Sequence, residues 1–124
     1  MYGESLGCGV DVYLAAERKV KAIILEGGFS SVRDVARKYY PFIPSFMISD
    51  RFDSLSRIEK IHISKLFMHS ENDEVMPLKL AVKLYDAAPE PKEFTKLTGG
   101  HNTSFQDSTE KYTSSIASFI KKIY

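Results

Sequence analysis

The sequence holds a single cysteine, Cys8, in 124 residues. That excludes an internal disulfide and makes a disulfide-stapled secreted domain a poor fit. No apolar run approaches the ~18 residues that a membrane-spanning helix needs. The first residues, Met1-Tyr2-Gly3-Glu4, lack the basic segment and apolar stretch of a secretory signal, so the expected location is the cytoplasm. Neither sign of charge is in surplus: 17 Lys+Arg against 16 Asp+Glu leave a net charge of +1. The lysines are scattered from Lys19 to Lys122, so the gathered basic face of a nucleic-acid binder is missing, and no nucleic-acid partner is expected. Repeats and low-complexity segments are absent. What is present, 44% hydrophobic and 27% charged residues, is the balance of one globular domain spanning 1–124 and long enough to bury a core.

Helical and strand-like patterns alternate along the chain. Val10–Glu17 (VDVYLAAE) reads as a helix with Val10, Leu14 and Ala15 on one face, the helix itself opening near Leu6. Val20–Leu25 (VKAIIL) is short, apolar and β-branched, the pattern of a buried parallel strand, and Gly27-Gly28 breaks it. Ser31 with Asp34 three residues later has a capping-box-like spacing, predicting a helix to about Lys38 that Pro41 and Pro44 cannot continue. The stretch from Phe42 to Leu55 reads as a loop with a short helical turn near Ser45–Ile48, followed by a second turn over Leu55–Ile61. Lys65–His69 and Lys92–Leu97 are the next strands. Between them lie the loop Ser70–Pro77 and a helix Leu78–Ala87, with Leu80, Ala81, Leu84 and Ala88 on the apolar side. A terminal helix starts at about Ser104 or Ser108 and runs to Ile123, with Tyr112, Ile116, Phe119, Ile120 and Ile123 facing inward. Strands alternating with helices predict an α/β fold with a parallel sheet and right-handed crossovers.

Three positions carry chemistry. Gly3-x-Ser5-x-Gly7 has the spacing of a nucleophile elbow, in which the turn from strand to helix is so tight that its flanks exclude large side chains. Taken alone, five residues of this kind also match an ordinary Gly-rich turn. Asp73 follows the strand Lys65–His69. His101 follows Lys92–Leu97 in the loop 98–102, behind two glycines. Each falls just past a strand, at the sheet edge where ligands bind in open α/β folds. Serine is a poor nucleophile at neutral pH and needs a base. Histidine has a suitable pKa, and an acid fixes its tautomer. Glu26, at the end of a strand, is the rival acid, with Asp34 behind it. His62 and His69 read as structural or surface histidines, and Cys8 as packing between helix and sheet. Tyr39, Tyr40, Phe42, Phe46 and Met47 are candidates for an acyl pocket or for local core. Asn102 is expected to order the loop behind His101.

The chain resembles the α/β-hydrolases of the serine esterase, lipase and peptidase-like group, and within them the branch with abhydrolase-domain-13 and the Bem46-like proteins. The residues that carry this are Gly3-Glu4-Ser5-Leu6-Gly7, Ile24-Leu25-Glu26 with Phe29-Ser30-Ser31, Phe52-Asp53-Ser54-Leu55 with Ile58, His69-Ser70-x-x-Asp73-Glu74-Val75-x-Pro77 and Gly99-Gly100-His101-Asn102. The order Ser…Asp…His is also that of this fold. The resemblance implies Ser5 as nucleophile, His101 as base, Asp73 as acid and the Leu6 N–H as one oxyanion-hole donor. It implies an ester, thioester or amide as the small acyl substrate, cleaved through an acyl-enzyme with no cofactor or metal.

It also implies that the 124 residues are the C-terminal half of the fold: about three parallel strands, the family's sixth to eighth, with essentially all of the fifth absent. The first strand, Val20–Leu25, is then expected at an exposed edge that recruits a second copy into a homo-oligomer. The alternative to an active enzyme is a catalytically weak half-domain that folds by association.

Overall fold

The computed structural model describes residues 1–39, 41–42, 53–101 and 108–123. In chain order the elements are β1 (Tyr2–Glu4), α1 (Leu6–Glu17), β2 (Ala22–Glu26), α2 (Val32–Tyr39), α3 (Ser54–Ile58), β3 (Ser64–Ser70), α4 (Leu78–Ala87), β4 (Lys92–Leu97) and α5 (Thr109–Ile123). The strands form one parallel sheet in the order β1-β2-β3-β4. The expected α/β architecture is therefore present, with two corrections to its sheet. It has four strands rather than three, and the apolar segment around Ile23–Leu25 is interior rather than at an edge. The reason is register: Tyr2, Gly3 and Glu4 pair with Ile24, Leu25 and Glu26, and Met1 O accepts the Ile24 N–H at 2.8 Å. Three residues suffice to occupy the side of β2 that was expected to stand open.

Because side chains alternate along each strand, the sheet has two faces. On one, Ile23, Leu25 and Phe67 pack with Cys8 and Val12 of α1, Ile58 and Ile61 at α3, and Leu84 and Ala88 at α4. On the other, Ile24, Leu66, Met68 and Leu97 pack with Phe119, Tyr112, Ile116 and Ile123 of α5. Each fully buried side chain of this size contributes about 1.5–3 kcal/mol. Phe67, Tyr85 and Phe94 add an aromatic trio, with Tyr85 edge-on to both phenylalanines at 5.3 and 5.4 Å between centroids.

Two expected inner faces are corrected. Val10 is 42% exposed and Ile120 45% exposed. In α1 the buried apolar side chains are Cys8 and Val12, with Ala15 packed against them. Leu80, Ala81, Leu84 and Ala88 are all buried as expected.

The helix caps follow local chemistry. Ser31 Oγ accepts the Asp34 N–H at 3.0 Å and Ser30 Oγ donates to Asp34 at 2.5 Å, which starts α2. Asp53 accepts the Ser56 N–H at 3.3 Å and starts α3. The turn read at Ser45–Ile48 and the helix start at Ser104 lie outside the described residues. At the entrance to β3, Lys65 is fully buried and its Nζ donates to the carbonyls of Ile61 and Ile63, both at 2.6 Å. Burial pushes its pKa down to about 8.

Candidate active site

Ser5 sits in the one-residue step between β1 and α1, at φ 54° and ψ −120°. It is the one non-glycine residue with positive φ among those described, a strained conformation held by its surroundings. Its N–H donates to Glu26 O at 2.8 Å and its carbonyl accepts the Cys8 N–H at 3.0 Å. Cys8 Sγ donates in turn to Gly3 O and Glu26 O, so Cys8 is a buried packing residue that stitches the elbow to β2. Gly3 has little room for a side chain: a Cβ there would lie 2.7 Å from Asp11 Oδ2 and 3.0 Å from the backbone Gly7 O. Gly7 differs from expectation. Among the described residues nothing stands within 4 Å of a Cβ built on it, so the tight flank of the elbow is the N-terminal one.

Asp73 is positioned by its own turn. Its Oδ1 accepts the N–H groups of Val75 and Met76 at 2.8 and 2.7 Å, leaving Oδ2 to face inward. His101 Nδ1 lies 2.6 Å from that Oδ2, and His101 Nε2 lies 2.7 Å from Ser5 Oγ. A carboxylate only accepts, so Nδ1 carries the proton and Nε2 is free to accept from the Ser5 hydroxyl. The Asp73 and His101 side chains are 2% and 7% exposed. In so dry a setting a charge-assisted bond is stronger than in water.

Three residues 68 and 28 positions apart in sequence thus meet at the C-terminal ends of β1, β3 and β4. The rival acids lie elsewhere. Glu26 is buried and takes the Tyr2 hydroxyl, which is 2.6 Å from the Tyr112 hydroxyl. Asp34 pairs with Lys83 at 2.8 Å. His62 is exposed.

Several supporting residues were not among the site residues expected from the sequence. Glu74 accepts the backbone N–H of His101 at 3.2 Å. Ser70 Oγ donates to Gly99 O and ties the acid loop to the histidine loop. Gly27, at φ 64°, lets the backbone pass beneath the imidazole, and a Cβ there would lie 3.3 Å from His101 Cε1. His69 lies buried beside Asp73. Of the pocket candidates, Tyr39 donates its hydroxyl to Val75 O and so ties α2 to the acid loop, and Phe42 is exposed. Tyr40, Phe46, Met47 and Asn102 are outside the described residues. Among the described residues no cluster of three or more His, Cys, Asp or Glu side chains could hold a metal ion. No described helix is long and apolar enough to cross a membrane.

No protein-family model matches the chain. Similarity to individual proteins is nevertheless clear. The chain is 36% identical over 103 residues to an uncharacterised protein of Mycobacterium tuberculosis, covering 82% of this chain and 37% of that protein. It is 31% identical over 124 residues to the lysophosphatidylserine lipase ABHD12 of Danio rerio, covering 85% and 31% respectively. It is 32% identical over 91 residues to protein bem46 of Schizosaccharomyces pombe, covering 68% and 30%. Among solved structures, the esterase domain of a Rhodothermus marinus protein superposes with a TM-score of 0.73 at 21% identity, over 95% of this chain and 58% of that one. The putative non-heme bromoperoxidase BpoC of Mycobacterium tuberculosis gives 0.74 at 14% identity, over 99% and 66%.

Together with the four-stranded parallel sheet, these likenesses show that the chain belongs to the α/β-hydrolase superfamily. Within it, the chain falls in the Bem46/ABHD branch, of whose curated members it spans about a third: 31% of ABHD12 and 30% of bem46.

Proposed function

We propose that this chain carries the nucleophile, base and acid of a serine hydrolase that cleaves an ester, thioester or amide through an acyl-enzyme. The observation that carries the reading is the unbroken line from Ser5 Oγ through His101 to Asp73, with links of 2.7 and 2.6 Å, behind a serine held at positive φ. Ser5 Oγ attacks the acyl carbon while its proton passes to His101 Nε2. The Leu6 N–H, at the first position of α1, has no partner within its own helix and donates to the oxyanion. His101 then gives its proton to the leaving group as the acyl–heteroatom bond breaks. Water, deprotonated by the same nitrogen, releases the acid and restores Ser5. Asp73 stays anionic and stabilises the imidazolium. The scheme uses no metal or cofactor. Because ABHD12 is named a lysophosphatidylserine lipase, a lysophospholipid ester is the first substrate to try.

The test is labelling with a fluorophosphonate. The folded chain is expected to be labelled, Ser5→Ala not at all, and His101→Ala more slowly by on the order of 10⁴-fold or more. A folded chain that takes no label, or a Ser5→Ala variant labelled like the parent, overturns the reading. A second reading, a catalytically weak segment that folds by association with another copy, is favoured by the outer edge of β1. No strand pairs with that side among the described residues.

A further inference from the structure

We propose that His69 is a positioning residue for the acid: its neutral imidazole clasps the acid loop shut so that Asp73 Oδ2 stays aimed at His101. This rests on the serine-hydrolase reading for its catalytic consequence, but the geometry stands by itself. His69 is the penultimate residue of β3 and its side chain is fully buried. Its Nε2 lies 2.7 Å from the carbonyl of Met76. A carbonyl only accepts, so Nε2 bears the proton and the tautomer is determined. The same nitrogen lies 3.5 Å from Asp73 Oδ2, the oxygen that takes His101 Nδ1.

Met76 is therefore held from two sides: its N–H goes to Asp73 Oδ1, and its carbonyl accepts from His69. Removing the second grip loosens the residue whose N–H fixes the rotation of the carboxylate. The Nδ1 of His69 is buried and has no hydrogen-bond partner among the described residues. That sits well with a ring held neutral.

Neutrality matters, because a cation at this place would pair with Asp73 and compete with His101 for it. Burial presses the His69 pKa below the ordinary histidine value. The Met76 carbonyl, Asp73 and Glu26 act in the opposite sense, and His101 reinforces the lowering.

The variants that test this are His69→Gln, whose amide reaches about where Nε2 lies; His69→Asn, whose amide falls short of Met76; and His69→Leu, which fills the space without a donor. Two measurements are made on each: the rate of fluorophosphonate labelling of Ser5, and the NMR signal of the His101 imidazole proton shared with Asp73. Loss of an outer partner that orients a ligand in a metal site costs about 10–100-fold in activity, and the same order is expected here.

His69→Asn and His69→Leu are expected to slow labelling by that factor and to lose or broaden the shared-proton signal. His69→Gln is expected to restore both. If the glutamine variant fares no better than asparagine, or if the asparagine variant keeps the signal and the rate, the proposal fails. The NMR measurement decides even if the parent chain takes no label, so failure here and failure of the hydrolase reading are distinguishable. Should His69→Leu not fold, the Gln and Asn pair still decides.

Discussion

At Gly27 a missing side chain leaves room for the His101 imidazole. Its φ of 64° is a conformation that costs an L-residue about 1–2 kcal/mol, and a Cβ would stand 3.3 Å from His101 Cε1. Gly27→Ala is therefore expected to lower the melting temperature by about 4–8 °C for each kcal/mol lost. It is also expected to slow fluorophosphonate labelling while the chain is still folded, because the ring must shift. Gly7→Ala is the contrast. With open space around its Cβ and a helical position, it is expected to hold or raise stability, since glycine in a helix costs about 0.5–1 kcal/mol relative to alanine. Calorimetry and labelling of the two variants check both statements, and equal behaviour would refute the contrast between the two glycines.

Asp73 and His101 were legible in the sequence because each stands in a short loop punctuated by Gly, Asn or Pro after a strand pattern, and Ser5 because two glycines flank it at the elbow spacing. The contacts of Glu74 and Gly27 with His101 were not, because each reaches a residue far away in sequence and no local pattern marks that.

At the scale of elements, the helix Leu78–Ala87 and the strand Lys92–Leu97 were read to the residue, since proline stops and apolar periodicity bound them tightly. The faces of α1 and α5 were read less well. Val10 and Ile120 lie on apolar stripes but outside the contact, because a 3.6-residue period says that a helix has an apolar side without saying how wide the partner surface is.

The entrance of β3 shows another effect of assembly. Lys65 has the strand pattern's only charge, yet it is buried, with its ammonium on two carbonyls that the preceding turn leaves exposed. Its folded pKa, about 8, is below its ordinary value of 10.5. Below pH 8 the group is charged in both states and its desolvation cost is constant. Between about 8 and 10.5 the unfolded chain holds more protons, so stability on this account rises with pH and then levels off. Denaturant melts from pH 7 to 10 are expected to show this rise in the parent relative to Lys65→Met; parallel pH profiles would refute it.

At the scale of the molecule, the α/β class and the parallel sheet followed from the alternation of patterns alone. The sheet's edge did not. Tyr2–Glu4 is too short to announce itself as a strand, and it exists only because β2 offers a ladder for it. Among the described residues the sheet ends at β1 and β4, so the edge expected at β2 belongs to β1, where Met1 and Tyr2 are each 43% exposed. If the chain associates through it, sedimentation is expected to show a species of twice the chain mass that grows with concentration. A folded chain that stays monomeric as concentration is raised would rule that out.

Apart from β1, the sequence by itself determined the element types, their order and the three residues offered to chemistry, since those depend on period, punctuation and side-chain chemistry within a few positions. The tertiary structure decided which acid meets His101, which glycine is indispensable, which strand stands at the edge and what grips the acid loop. The first three are contacts between residues distant along the chain, which only packing brings together; the last joins residues a few positions apart, and the folded loop turns them toward one another.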